Sequence, residues 1–152
     1  MGKASRKKHQ QRYQKNVLEK YGNVKLADAI THLCEPYQQT FGDSDKEYRN
    51  LIALTTLSWN AALAEDMETR QKEIDKLLKI VVKERVPLAD TGLNDEYNKL
   101  IVFIRSIVND IITRKELYYP NDDRVIVDFT LGTKGSRYHL QVKSIIPQRN
   151  AA

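Results

Sequence analysis

The sequence has few of the features that mark secreted or membrane-spanning proteins. It contains one cysteine, Cys34, so no disulfide can form within the chain and nothing indicates a small secreted domain held together by disulfides. The N-terminal residues lack the apolar stretch of a signal peptide, and no segment approaches the roughly 20 apolar residues of a membrane-spanning helix. These absences predict a cytoplasmic protein that does not interact with membranes.

Glycine and proline are also scarce, at six and four of 152 residues. No linker rich in proline, glycine or serine divides the chain, and no internal repeat is visible, which favours a single domain. Hydrophobic residues make up 41% and charged residues 30%, which is typical of a soluble globular protein with one core. We therefore expect a basic arm over residues 1–23 and one domain over residues 24–149.

Acidic residues are nearly absent from the arm. Residues 1–23 carry seven lysines and arginines and one glutamate, a net charge of +6, whereas the whole chain carries +5 and the remainder is therefore −1. Lysine and arginine attract phosphate without needing a preformed pocket, so we expect the arm to contact nucleic acid. The candidate nucleic-acid-binding residues of the arm are Lys3, Arg6, Lys7, Lys8, Arg12 and Lys15.

The arm leaves other interpretations open, because a run of charge is not specific evidence of one partner. It could contact an acidic protein, dock on the rest of the chain, or only increase solubility. Tyr13, Val17 and Tyr21 recur at four-residue spacing, which favours helical structure in part of the arm. No motif that reads bases accompanies the arm, so we expect binding without sequence specificity.

The middle of the chain repeats apolar residues at helical spacing, which predicts four helices. The first begins near Val24 and kinks or ends at Pro36, because proline lacks a backbone donor and disfavours helical geometry in the preceding residue. The second begins at Ser44, whose hydroxyl should accept a hydrogen bond from the amide of Glu47 in a capping box. Trp59 lies on this second helix, which we expect to be buried on two sides with the indole in the core.

The third helix is predicted to begin around Ala64 to Asp66 and to stop at Val86-Pro87. Its inward side chains are expected to be Met67, Ile74, Leu77, Leu78, Val81 and Val82. The fourth and longest helix is predicted over about residues 95–118.

The apolar period then changes from 3.6 to 2, which indicates strands. We predict a C-terminal antiparallel β-hairpin over about residues 123–146, with Gly132–Gly135 as a four-residue loop. Leu131 would then face Ser136, and Phe129 would face Tyr138. The apolar side chains of this register all fall on one face, namely Val125, Val127, Phe129, Leu131, Tyr138, Leu140 and Val142. A lone hairpin is marginal in water, so this face should pack on the helices.

The opposite hairpin face is predicted to be basic, with Arg124, Arg137, His139, Gln141 and Lys143 along it. Arg137 and Lys143 complete the set of candidate nucleic-acid-binding residues. The alternative is an ordinary solvated face on which Asp128 and His139 lie directly opposite each other. The edges of the hairpin could also pair with another chain, for example in a homodimer.

Asp128 on one strand and Gln141-Val142-Lys143 on the next resemble the hairpin of the PD-(D/E)xK nucleases. The resemblance implies that Asp128 is a metal ligand, that Gln141 replaces the second acid, and that Lys143 stabilises the phosphate or the attacking water. The sequence departs from the family pattern because Gln141 is neutral where a divalent metal favours negative charge, and because no proline precedes Asp128. A divalent-metal nuclease is the remote alternative.

The motifs of the familiar enzyme classes are absent from the sequence, and the three histidines and Cys34 lack the spacing of metal ligands. We therefore expect no metal, no cofactor and no catalytic residue. The sequence predicts a mainly α protein with a four-helix core, a C-terminal antiparallel β-hairpin and a basic N-terminal arm. We expect a non-enzymatic binding or adaptor protein whose arm contacts nucleic acid or a ribonucleoprotein. The alternative is a protein–protein interaction module or a homodimeric structural accessory protein.

Overall fold

A computed structural model describes residues 21–41, 44–85 and 94–147. Within these ranges the prediction of a mainly α protein with a four-helix core and a C-terminal antiparallel hairpin is confirmed. The structure predicted for residues 1–20 and for the loop around residues 86–93 lies outside the described residues.

The helices follow the order predicted from the apolar spacing. Their bounds are α1, Leu26–Cys34; α2, Gln38–Phe41; α3, Asp45–Ala62; α4, Met67–Arg85; and α5, Asn94–Tyr118. A 3-10 turn, Glu35–Tyr37, joins α1 to the short α2 and contains Pro36 in its first positions, as expected for a residue with no backbone donor. Gly22, which precedes α1, adopts a φ of 67° that glycine tolerates best. The predicted four-helix core thus consists of α1 with its kinked extension, α3, α4 and α5.

The central helix is α3, which packs against α1, α4, α5 and the hairpin. Its start is confirmed, because the Ser44 hydroxyl accepts a hydrogen bond of 3.1 Å from the Glu47 amide. Trp59 is fully buried, as predicted, and side chains on both flanks of the helix are buried with it. Met67, which was expected inside, is 63% exposed because it is the first residue of α4, ahead of the point where Ile74 enters the core.

The hairpin consists of β1, Val125–Lys134, and β2, Arg137–Ile145. The predicted register is wrong: Leu131 faces Leu140 and Phe129 faces Val142, and the strands are joined by Gly135 and Ser136 alone. Gly135 has a φ of 63°, which suits the first central position of a two-residue hairpin turn. The apolar pattern could not exclude the predicted register, because moving the pairing by an even number of residues leaves every side chain on its face.

A β-bulge also changes which residues of β1 point inward. Ile126 pairs with Ser144 and Asp128 pairs with Lys143, so Val127 is the extra residue. As a result Ile126 is buried whereas Val127 is 55% exposed, the reverse of the prediction. The side chain of Asn60 fixes this arrangement, because its amide group donates to the Ile126 carbonyl at 2.8 Å and its oxygen accepts from the Ile126 N–H at 2.9 Å.

Candidate functional site

The face of the hairpin that points away from the helices is the most highly charged surface of the described strands. We call it the outer hairpin face and define it by the side chains of Asp128, Thr130, Lys134, Arg137, His139, Gln141 and Lys143, all of which are exposed. No aspartate or glutamate occurs from residue 129 to residue 152. Asp128 is therefore the one carboxylate on the hairpin, and the surface beyond it is cationic or neutral.

The structure places two of the predicted nucleic-acid-binding residues on this face. Arg137 and Lys143 lie on β2, on the same side of the strand and about 20 Å apart at the usual rise per residue. Neither takes part in an ion pair with any residue that the structure describes. The other six candidates, Lys3, Arg6, Lys7, Lys8, Arg12 and Lys15, lie outside the described residues.

His139 was predicted to lie opposite Asp128. This prediction is wrong because the register of the hairpin differs from the predicted one. Asp128 faces Lys143, and His139 faces Gly132. The Asp128 carboxylate also accepts a hydrogen bond of 2.9 Å from the Phe129 N–H. The pair that the nuclease resemblance requires is thus partly assembled, since an acid and a lysine face each other across the strands.

The second acid of that resemblance has no replacement on the hairpin. Gln141 faces Thr130, and its amide nitrogen lies 3.5 Å from the His139 ring nitrogen Nε2. Among the described residues, no group of three or more histidine, cysteine, aspartate or glutamate side chains could hold a metal ion. The outer hairpin face therefore offers cations for contacting an anion, and one carboxylate.

Arg124 was expected on the outer hairpin face and is instead 4% exposed. Its guanidinium donates to the Asp122 carboxylate from Nε at 3.0 Å and from Nη2 at 2.7 Å, and to the Val24 carbonyl at 3.0 Å. It also lies 4.5 Å from the ring centroid of Tyr21. A buried charge is tolerated only when it is paired and hydrogen-bonded in this way, so Arg124 joins the start of β1 to the residues before α1.

A second buried cation lies beside this pair. The Lys115 ammonium donates to the carbonyls of Tyr119 at 2.9 Å and Asp122 at 2.6 Å, and it lies 4.8 Å from the centroid of the Trp59 ring. Burial lowers the pKa of Lys115 from its usual value. The Trp59 indole in turn donates to the Arg124 carbonyl at 2.8 Å. These contacts hold the turn between α5 and β1 against the core, and no periodic pattern of residues predicts them.

The one cysteine is placed where it cannot act as a nucleophile. Cys34 is fully buried, and burial raises the pKa of its thiol to about 11, so the thiol stays protonated near neutral pH. His32, two residues earlier, is directed elsewhere: its Nδ1 lies 2.9 Å from the Tyr119 hydroxyl. The two side chains do not form a catalytic pair.

A shallow groove of about 390 Å³ lies between α3, α4 and the start of β1. Its lining is mainly apolar, with Leu57, Leu63 and Leu77 among the larger side chains. Glu73 is the one ionisable residue of the lining, and the polar groups of Asn60 are occupied by Ile126. Thr69 also lines the groove, and its hydroxyl donates to the Asp66 carboxylate at 3.0 Å at the start of α4.

Comparison with known proteins gives one partial likeness. No protein family model matches the chain, and no solved structure matches it. The chain is 37% identical over 94 residues to the dioxygenase swnH2 of Arthroderma benhamiae, an alignment that covers 53% of this chain and 29% of that protein. The chain thus spans less than a third of the length of this relative. No helix in the described part of the chain is both long enough and apolar enough to span a bilayer.

Proposed function

We propose that this protein is a non-enzymatic, cytoplasmic binding or adaptor protein whose basic arm contacts nucleic acid or a ribonucleoprotein without sequence specificity. The observation that carries the proposal is the distribution of charge. The first 23 residues hold a net +6 and the remaining residues a net −1. A polyanion is therefore attracted to one end of the chain rather than to the protein as a whole.

The outer hairpin face supports the proposal as an accessory surface. Arg137 and Lys143 are exposed cations on a surface that holds a single carboxylate, Asp128. The described residues also supply reasons against catalysis as the main role: the Cys34 thiol is buried, and the lining of the groove between α3 and α4 has one carboxylate, Glu73. Binding through charge needs neither a nucleophile nor a general base held in a fixed position.

The name of the partially similar dioxygenase does not change this proposal. Where an oxygenase uses a non-haem iron, two histidines and one carboxylate hold the metal. This chain has three histidines, of which His9 lies outside the described residues, His32 contacts Tyr119, and His139 is exposed on β2. Among the described residues, no group of three or more histidine, cysteine, aspartate or glutamate side chains could hold a metal ion, so this part of the chain does not support such a centre.

The experiment compares two full-length variants that lose the same amount of charge. The arm variant replaces Lys3, Arg6, Lys7, Lys8, Arg12 and Lys15 with glutamine, and the body variant replaces six exposed lysines, Lys25, Lys46, Lys72, Lys76, Lys79 and Lys99, with glutamine. Binding of generic duplex DNA and of generic single-stranded RNA is then measured by fluorescence anisotropy.

We expect the arm variant to lose nearly all affinity for both nucleic acids while the body variant stays close to the unmodified protein. The reason is that clustered cations release the condensed counterions of a phosphate backbone together, whereas scattered cations cannot reach the same phosphates. Equal losses in the two variants would mean that overall charge governs binding, and the role given to the arm would be wrong.

A further inference from the structure

The two edges of the hairpin differ in how they are covered. The edge of β1 lies against α3, where the Asn60 side chain binds both backbone groups of Ile126, and the Arg49 guanidinium donates to the Leu131 carbonyl at 3.2 Å. Among the described residues the sheet contains these two strands only, so β2 has an outer edge as well, and α1 also packs against this strand. Within the described part of the chain, no hydrogen bond reaches that edge at Tyr138, Leu140 or Val142.

The backbone groups that point to this open edge follow from the pairing. In an antiparallel pair, residues alternate between positions whose N–H and C=O groups bond across the ladder and positions whose groups point away from it. The backbone groups of Ile126 and the carbonyl of Leu131 point away from β2, since they form hydrogen bonds with side chains of α3. The outward positions on β1 change from even to odd residue numbers between these two because the bulge at Val127 adds one residue. Leu131 faces Leu140, so the backbone groups of Leu140 also point outward. Those of Tyr138 and Val142, two residues away on either side, do the same.

The two faces of this edge differ in chemistry. On the outer side β2 presents Arg137, His139 and Lys143, with Gln141 between them and no acid anywhere on the strand. On the inner side, Leu140 and Val142 are partly buried against the core, and the Tyr138 ring stacks on Tyr48 at a centroid distance of 4.3 Å. A strand added here would meet cations on one face. On the other face it would meet apolar side chains, beside the Asp45 carboxylate that accepts a hydrogen bond of 2.7 Å from the Tyr138 hydroxyl.

A second copy of β2 fits this edge poorly. Antiparallel pairing of two copies about Leu140 would place Arg137 of each copy directly opposite Lys143 of the other. Pairing about Gln141 would instead place His139 of each copy opposite Lys143 of the other. The first of these arrangements brings like charges together, and cations on an edge strand are a recognised way to prevent self-association. An acidic segment has the complementary charge.

We propose that the outer edge of β2 binds an extended acidic peptide by antiparallel strand addition. The peptide would pair with the outward backbone groups of Tyr138, Leu140 and Val142. Its acidic residues, at alternate positions, would lie beside Arg137 and Lys143, and its intervening residues would be small and uncharged. This interaction does not depend on the arm, so the full-length arm variant described above should bind the peptide as the unmodified protein does.

The test uses the full chain and the acetylated, amidated probe peptide Glu-Val-Glu-Thr-Glu-Val-Glu. Hydrogen exchange followed by NMR reports on each backbone amide. We expect saturating peptide to slow exchange at Tyr138, Leu140 and Val142 by about tenfold or more, because these amides become hydrogen-bonded. Replacing both Arg137 and Lys143 with glutamine should weaken binding by about tenfold, the effect of losing two cross-strand charge pairs. The matched control, Lys72→Gln with Lys76→Gln on α4, should leave the affinity unchanged.

Two N-methylated versions of the peptide separate strand pairing from simple charge attraction. In antiparallel addition, the peptide residues directly opposite Tyr138, Leu140 and Val142 direct their N–H groups at β2 and carry their side chains on the apolar face. The valines and the threonine of the probe take these positions. N-methylation at the valines and threonine should therefore abolish binding, whereas N-methylation at the inner glutamates should be tolerated. The two versions have the same charge.

Four results would overturn the proposal. Equal binding of both methylated peptides, or binding without any change in the three amides, would show that charge alone attracts the peptide. Protection of the same amides that rises with protein concentration, without peptide, would show that a second copy occupies the edge. Failure of the peptide to protect the three amides, together with binding of a short oligothymidylate that needs Arg137 and Lys143, would assign the face to nucleic acid alone.

Discussion

Replacing Asn60 with alanine removes both hydrogen bonds that hold the start of β1 on α3. The Ile126 N–H and C=O would lose partners at 2.9 Å and 2.8 Å, at a position where the Ile126 side chain is buried. A typical intramolecular hydrogen bond contributes about 1 kcal/mol, and a polar group left without a partner away from water costs about 1–3 kcal/mol. We therefore expect the free energy of unfolding to fall by about 2–3 kcal/mol.

Asn60→Asp offers a sharper version of the same test. An ionised aspartate can still accept from the Ile126 N–H but faces the Ile126 carbonyl with a negative charge, whereas a protonated aspartate can donate to that carbonyl as asparagine does. The folded state therefore raises the pKa of the introduced carboxyl above its unfolded value. The stability associated with the protonated form is present below the unfolded pKa and is lost as the pH rises through the folded pKa.

Urea unfolding of the unmodified protein, Asn60→Ala and Asn60→Asp at pH 4 and pH 7 measures both effects, and each variant is compared with the unmodified protein at the same pH. The deficit of Asn60→Asp should be smaller at pH 4 than at pH 7, and the deficit of Asn60→Ala should be the same at both. A loss below about 0.5 kcal/mol for Asn60→Ala would refute the importance of this contact. A deficit of Asn60→Asp that does not depend on pH would refute the assigned bonding.

Three further predictions concern the turn, the thiol and the indole. Gly135→Ala should destabilise the protein by about 1 kcal/mol because Gly135 has a positive φ, whereas Gly132→Ala should be close to neutral. Urea unfolding distinguishes the two variants. A larger loss of stability in Gly132→Ala than in Gly135→Ala would favour the four-residue loop. Cys34 should resist alkylation at pH 8 until the protein unfolds, since it is buried and its pKa is about 11; rapid labelling of the native protein, detected by mass spectrometry, would contradict this. Trp59→Phe should cost about 1–3 kcal/mol through the lost bond to the Arg124 carbonyl, and an unchanged thermal midpoint would show that the bond contributes nothing.

The helices could be predicted because their apolar spacing is long and regular. The capping box at Ser44 and the break at Pro36 each depend on a few neighbouring residues, and both occur where the local sequence indicated. The register of the hairpin could not be predicted in the same way. Gly132 and Gly135 are both acceptable turn residues, and the two registers differ by an even number of residues, so the alternation of apolar and polar side chains fits either.

The bulge and the buried cations depend on contacts between residues that are far apart in the sequence. Ile126 turns inward because Asn60, on a helix 66 residues earlier, binds its backbone. Arg124 looks like one more surface cation until its pairing with Asp122 and its contacts to Val24 and Tyr21 are known. The exposed positions of Arg137 and Lys143, in contrast, follow from their alternation with apolar residues, which an even change in register preserves.

The salt dependence of nucleic-acid binding tests whether the cations of the arm contact the phosphates. For the full chain on duplex DNA, the slope of log K against log salt should be about −6 if the seven cations of residues 1–23 each meet a phosphate. Replacing six of them with glutamine should make the slope less negative by about 5, while replacing the six exposed lysines of the body variant should leave it unchanged. A slope near zero for the unmodified protein, or the same slope in the unmodified protein and the arm variant, would contradict the account.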